Sequence, residues 1–317
     1  MSLDLARIRA AHERIRPHIK RTPVLTNDAL DAACGGQLFF KCENFQQAGA
    51  FKSRGAVNAV FALTDAEAQQ GVVAHSSGNH AAAIARAAQL RGIPAFIVMP
   101  HNAPLAKVRN VESYGGQITY CEANLTVREA ECGRLSAATG AAIIAPFDDY
   151  NVMAGQGTAT LELLGEVPDL DLVLCPVGGG GLLCGTVVAA KGLRPAVRVI
   201  GVEPLLANDV ALSFRSGARV AIATPATIAD GLRTNCPGEK TFPLIRQHVD
   251  DIVTVTEENI VAAMRAIWDS LKIVVEPSAA VPYAALLEGR VEVRGQRVGL
   301  ILTGGNVDLN ALPWSKS

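Results

Sequence analysis

The chain has 317 residues, 49% of them hydrophobic and 19% charged, with 29 Lys+Arg against 30 Asp+Glu. That composition excludes an intrinsically disordered chain, and a length near two ordinary domains supplies enough core to fold without disulfide or metal staples. A formal net charge of -1 leaves no basic surplus for phosphate backbones, so nucleic-acid binding is excluded as the main task.

Ile8, Ala11, Ile15 and Ile19 recur near helical spacing, so the N-terminal segment reads as an amphipathic helix. It carries acids and lacks the apolar core of a signal peptide. Residues 21–25 (RTPVL) end it, residues 36–44 alternate like a strand, and residues 53–63 read as a helix. A regular rhythm begins at residue 71. Strands are expected at 71–77, 94–100, 117–122 and 141–146, with helices at 78–92, 104–115 and 126–140 between them. The pattern resumes with a helix at 154–167. A strand, glycine loop and helix follow across 170–192, then a strand at 198–204, a helix at 257–272 and a late strand at 297–306. Short β-rich runs alternating with helices predict an α/β fold of open parallel sheets with helices on their faces. The expected organisation is two domains: a smaller one at 65–148 inserted in a larger one formed by 1–64 and 149–317.

No apolar stretch approaches the roughly 18 residues of a membrane span. The seven cysteines are odd in number and lack CxxC spacing, which reads as buried thiols in a reducing cytoplasm.

Four short segments carry chemistry. PVGGGG (176–181) joins an apolar strand to a helix, where glycines admit a ligand to the backbone and the helix start offers free N–H groups. Such a cradle suits an anion, most often phosphate. It has neither the GxGxxG spacing of a dinucleotide fold nor the GK[ST] of a nucleotide loop. GAFKSRGA (49–56) places Lys52 at a helix start beside Phe51 and between Gly49 and Gly55. A desolvated lysine there has a lowered pKa and suits covalent attachment of a carbonyl compound. HSSGNHA (75–81) packs Ser76, Ser77, Asn79 and His80 around another helix start, which fits a carboxylate. TGGN (303–306) follows a strand, at the kind of strand end where open α/β sheets bind ligands.

Taken in order, FKSRGA, SSGNHA, AGQGT, PVGGGGLL, GVEP, IADG, VEPS and LTGGNVDL resemble the pyridoxal-phosphate enzymes of the tryptophan-synthase-β fold type, PLP fold type II. The branch they resemble holds the threonine/serine dehydratases and the serine racemases, and the likeness runs through nearly the whole chain. It implies a cytoplasmic homodimer acting on a small amino acid, with no nucleic-acid or membrane partner.

The resemblance also assigns roles. Lys52 would carry pyridoxal 5'-phosphate and act as the base, and Phe51 would pack against its ring. Gly178, Gly179, Gly180 and Gly181 would hold its phosphate, Asn79 its ring hydroxyl, and Thr303 would face the ring nitrogen. Ser76, Ser77, Asn79 and His80 would line the substrate carboxylate pocket, with Ser77 as acid/base on the second face if the enzyme racemises. Arg128 is the candidate cation for a side-chain carboxylate. Glu203, the carbonyl of Ala207 and Asp209 would bind Mg²⁺, Mn²⁺ or Ca²⁺. Gln47 and Ala82 replace the residues that hold ATP in related racemases, so nucleotide activation is not expected. Nor is feedback through a C-terminal regulatory domain. The activity implied is a carbon–nitrogen lyase that dehydrates a β-hydroxy amino acid of the L-threonine/L-serine class. A 3-hydroxyaspartate dehydratase and a serine racemase with side elimination are the alternatives.

Overall fold

The computed structural model describes residues 2–76, 78–103 and 105–314. The chain opens with α1 (Leu5–Ile15), β1 (Val24–Leu25), α2 (Asp28–Cys34), β2 (Gln37–Cys42), α3 (Lys52–Ala62) and α4 (Asp65–Gln69). It continues through β3 (Val72–His75), α5 (Asn79–Arg91), β4 (Ala95–Pro100), α6 (Leu105–Ser113), β5 (Gln117–Cys121), α7 (Leu125–Thr139) and β6 (Ala142–Ile143). Then come α8 (Tyr150–Glu166), β7 (Leu172–Pro176), α9 (Gly181–Leu193), β8 (Arg198–Pro204), α10 (Asp209–Ser216) and α11 (Thr241–His248). The last elements are β9 (Asp251–Val255), α12 (Glu257–Leu271), α13 (Pro277–Leu287) and β10 (Arg297–Leu302).

Two sheets result, as the alternating pattern requires. The larger has six strands in the order β1-β2-β10-β7-β8-β9, and the smaller four in the order β5-β4-β3-β6. Only β1 runs antiparallel to its neighbour. The late strand β10 is central: Leu300 lies opposite Phe40 of β2 on one side and Leu174 of β7 on the other. Every residue of β7 is buried, as expected of a parallel strand covered on both faces.

Helices α2, α12 and α13 share the core on one face of the large sheet, and α1, α8, α9, α10 and α11 that on the other. Helices α3, α5 and α6 cover one face of the small sheet, and α7 the other. Helix α3 therefore packs on a sheet whose strands all follow it in the chain. It also presses on α8, where a Cβ on Gly155 would meet the Arg54 carbonyl at 2.5 Å, so this crossing tolerates only glycine.

Three expected strands fell short in extent: the run at 71–77 is a strand only over Val72–His75, and that at 297–306 only over Arg297–Leu302. The run at 141–146 forms a strand over only Ala142–Ile143. Strand β9 and helices α2, α4, α10, α11 and α13 were not legible. Helix α13 contains Pro282, a residue that argues against a helix when read locally. All seven cysteines are free, five of them buried. Among the described residues no helix is long and apolar enough to cross a membrane.

A charge-balanced cluster lies in the core behind α3. Arg54 donates to both oxygens of Glu43 at 2.7 and 2.8 Å and to both oxygens of Glu162 at 2.8 and 2.7 Å. Lys41 Nζ donates to Glu162 and to the Thr22 carbonyl, each at 2.7 Å. All four charged side chains are buried. Removing one member of such a set leaves an uncompensated buried charge. Arg54→Met is therefore expected to cost about 3–5 kcal/mol in urea denaturation. A midpoint unchanged from wild type would show that the cluster contributes nothing to the fold.

Candidate active site

Most helix starts in the chain are closed by a side chain. Asp4, Asn27, Thr64, Asn124, Asp149 and Thr256 cap α1, α2, α4, α7, α8 and α12. Neighbours serve two more: Glu203 accepts from Val210 and Ala211 at the start of α10, and Asp148 from Lys240 and Thr241 at that of α11. Helix α13 begins with a proline, which has no N–H to satisfy. Helices α3, α5 and α9 have no side-chain cap; their N-cap residues are Phe51, Gly78 and Gly180. These three are the helices that follow the FKSRGA, SSGNHA and PVGGGG motifs. At α5 and α9 the uncapped start leaves N–H groups and the positive end of the helix dipole available to an anion, whereas at α3 the Gly55 N–H is taken by Gln156 Oε1 at 3.1 Å.

Lys52 is the first residue of α3. Its Nζ donates to the Pro146 carbonyl at 2.7 Å and lies 5.2 Å from the Phe51 ring centre. Burial lowers its pKa to about 8, against the opposing pull of Glu276. The backbone holds this start in place: Phe51 N–H donates to the Thr303 carbonyl at 2.9 Å, and Ala50 bridges to Gly304.

The glycine loop sits after the carboxyl end of β7. Among the described residues, no N–H group of Gly178, Gly179, Gly180 or Gly181 donates to another protein atom. Gly180 adopts φ +96°, a left-handed conformation that fits glycine. A Cβ on Gly179 would lie 2.4 Å from the Phe147 ring, so any side chain there would dislodge it. Thr241 Oγ1 donates to the Gly179 carbonyl at 2.7 Å and steadies the loop from behind.

Asn79 opens α5. Its Nδ2 donates to both oxygens of Glu276, at 2.9 and 3.2 Å, and its Oδ1 accepts from Asn306 Nδ2 at 2.9 Å. The amide is thus clamped from two sides. Glu276 is buried, and burial with the nearby charge of Asp230 raises its pKa to about 7. Sequence reasoning did not single it out, although it lies inside the VEPS motif; a carboxylate beside a proline at a helix start was the available signal. Thr303 is buried at the end of β10, and its hydroxyl has no partner.

Gly78 N–H donates to Ser76 Oγ at 3.1 Å. Ser77 lies outside the described residues. His80 is buried and its Nε2 meets the Ile144 carbonyl at 3.1 Å. Burial and the charge of Lys52 lower its pKa to about 3, so the ring is neutral and its single N–H is spent on that carbonyl. His80 therefore ties α5 to the chain after β6 and has no N–H left for a carboxylate. His75, at the end of β3, is held to a pKa of about 4 by burial and the charge of Arg128. Arg128 on α7 is thus drawn toward the same strand end, and its buried Nε has no partner.

The acid pair spans the end of β8, which holds Glu203, and the start of α10, which opens with Asp209. Glu203 and Asp209 are fully buried, and among the described residues no cationic side chain bonds to either. Burial and the charge of Asp209 push Glu203 well above the usual carboxylate range, and burial lifts Asp209 to about 7. Among the described residues Asp209 Oδ1 is without a partner, and the Ala207 carbonyl accepts no hydrogen bond. Among the described residues no group of three or more His, Cys, Asp or Glu could hold a metal, so any cation here would need carbonyl or water ligands as well.

Residues 15–304 match the family described as "Pyridoxal-phosphate dependent enzyme". The chain is 50% identical over 306 residues to a beta-hydroxyaspartate dehydratase of Paracoccus denitrificans, covering 96% of this chain and 97% of that protein. It is 48% identical over 314 residues to a serine racemase of Oryza sativa subsp. indica, covering 98% and 92%. Among solved structures, maize serine racemase superposes with a TM-score of 0.95 at 46% identity, covering 98% of this chain and 95% of that one.

The lowered pKa of Lys52 has a direct consequence. In cofactor-free protein its amine becomes neutral near pH 8, whereas an ordinary lysine needs about 10.5. Acylation by an amine reagent, followed by mass spectrometry across pH, is expected to show half-maximal labelling of Lys52 near pH 8. Labelling that rises in parallel with exposed lysines would contradict this.

Proposed function

Because the chain belongs to the pyridoxal-phosphate-dependent enzyme family, we propose that it is an ammonia-lyase converting a β-hydroxy amino acid of the L-threonine/L-serine class to a 2-oxo acid and ammonia. The observation that carries this reading is a lysine with a pKa of about 8 bonded to the Pro146 carbonyl, next to Phe147, whose ring packs against a glycine loop with unpartnered N–H groups.

The residues fit the cofactor. Four free N–H groups suit its phosphate, a buried orphan hydroxyl on Thr303 its ring nitrogen, and the clamped amide of Asn79 its ring hydroxyl. When bound, pyridoxal phosphate supplies an electron sink for the charge left after removal of the α-proton. A neutral hydroxyl at the ring nitrogen makes that sink weaker than a carboxylate would, which favours prompt elimination. Lys52, as a neutral amine oriented by the Pro146 carbonyl, takes the α-proton. The free N–H groups at the start of α5 and Ser76 hold the substrate carboxylate. The β-hydroxyl departs as water, and the released enamine hydrolyses to the 2-oxo acid and ammonia.

A second reading, dehydration of 3-hydroxyaspartate, is favoured by Arg128. Its charge reaches His75 at the end of β3, and its buried Nε is unpaired, so the substrate side is electropositive. The Paracoccus relative bears that activity in its name.

We also propose that Glu203, Asp209 and the Ala207 carbonyl bind Mg²⁺, Mn²⁺ or Ca²⁺. Two buried carboxylates with no bonded cation and one orphan oxygen support it. The ion would not touch substrate; it would tie the end of β8 to the start of α10.

Release of 2-oxo acid is expected over a panel of β-hydroxy amino acids in both configurations. Lys52→Ala is expected to fold and to lose the visible cofactor band and all but a trace of turnover. Retention of about a tenth of wild-type turnover would contradict the role of Lys52. Binding of the ion at a hundredfold excess over Kd adds about 2.7 kcal/mol. EDTA should therefore lower the melting temperature of the wild type and leave Asp209→Ala unmoved. A wild type indifferent to EDTA and free of metal by elemental analysis would refute the cation site.

A further inference from the structure

Lys107 stands on α6, which packs on the small sheet, and Asp230 stands in the turn at 230–232, whose neighbours Ala229 and Leu232 pack into the core of the large sheet. The two form an ion pair that joins these two parts of the chain, with their side chains 26% and 37% exposed. A Cβ on Gly78 would lie 3.8 Å from Lys107 Nζ, so this cation hangs over the loop before α5. Next to Asp230, Gly231 N–H donates to Ser278 Oγ at 3.0 Å, which fixes the turn against α13. Both charges also reach the buried Glu276, Asp230 raising its pKa and Lys107 lowering it. The pair therefore sits at the mouth of the site, between solvent and the groups that would face substrate.

We propose that Lys107 is a specificity-determining residue that exchanges Asp230 for the side-chain carboxylate of an acidic substrate, so that the cleft selects 3-hydroxyaspartate over serine and threonine. The inference rests on the ammonia-lyase reading above. A half-exposed ion pair contributes little net stability, so trading one carboxylate for another at Lys107 is close to balanced in energy. A methyl or hydrogen at the substrate β-carbon offers nothing to exchange and leaves the pair closed. Asp230 adds a repulsive element, because a second carboxylate is unfavourable beside it unless Lys107 swings to meet the newcomer. Specificity is a difference between substrates, and this arrangement acts on that difference through both partners. Arg128 comes from α7, its charge reaching His75 at the end of β3, so Lys107 supplies a cation from a separate element.

The test is steady-state kinetics of the holoenzyme with 3-hydroxyaspartate and L-serine, for wild type, Lys107→Met, Lys107→Arg, Asp230→Asn and the Lys107→Met/Asp230→Asn double variant. Lys107→Met should lower the ratio of kcat/KM for 3-hydroxyaspartate over that for serine by about tenfold, mostly through KM. Lys107→Arg should restore the ratio. Asp230→Asn, which frees Lys107, should raise it, and should fail to do so in the double variant. An equal loss for both substrates in Lys107→Met, or an unchanged ratio, overturns the inference while leaving the lyase reading standing. Absence of 2-oxo acid from every β-hydroxy amino acid with wild-type enzyme overturns the lyase reading itself, and the inference with it.

Discussion

Lys52 is held between two anchors, and the chemistry of the cleft depends on that placement. In front, the backbone at Ala50 and Phe51 is stitched to Thr303 and Gly304 beyond the central strand β10. Behind, Arg54 fastens the same first turn of α3 to Glu43 and Glu162 inside the core. An amine out of water favours its neutral form, and a helix start held at both ends cannot drift to solvent to regain its proton. The quartet is costly to bury and worth little as a source of net stability. It does fix where α3 begins relative to both sheets.

The rest of the site is electropositive backbone. The uncapped starts of α5 and α9 follow the carboxyl ends of the parallel strands β3 and β7, where partial charges need no reorganisation to receive anions. Glu276 is the counterweight. Its pKa of about 7 means that it changes charge in the working range, and it does so while bonded to the clamped amide of Asn79. Ring-facing groups and substrate-facing groups are thus joined through one buried carboxyl. The charges at the cleft mouth act on that same carboxyl, which links the edge of the site to its floor.

Much of this was legible in the sequence because glycine, proline and short apolar strands mark local geometry. Glycines at 178–181 and Lys52 at a helix start carry their own physical reasons, and both lie where the motifs put them. The N-terminal helix buries Ile8, Ala11 and Ile15 as its spacing required. What could not be read is non-local. Nothing near residue 297 says that β10 lies between β2 and β7 rather than at an edge. His80 looked like a carboxylate ligand, but only the fold shows its ring neutral and spent on Ile144. Glu276 and Asp230 are ordinary acids until tertiary structure sets one against Asn79 and the other against Lys107. The absence of a capping side chain at α5 and α9 becomes telling only beside the capped starts of α1, α2, α4, α7, α8 and α12.

The central claim is that Lys52, among all lysines of the chain, is the one built to carry the cofactor. Borohydride reduction of the holoenzyme followed by peptide mapping tests it most directly. The account predicts the mass of a reduced pyridoxal-phosphate adduct on the peptide containing Lys52 and on no other. An adduct on Lys41, Lys107 or any other lysine, or none at all in protein that holds the cofactor, would contradict it.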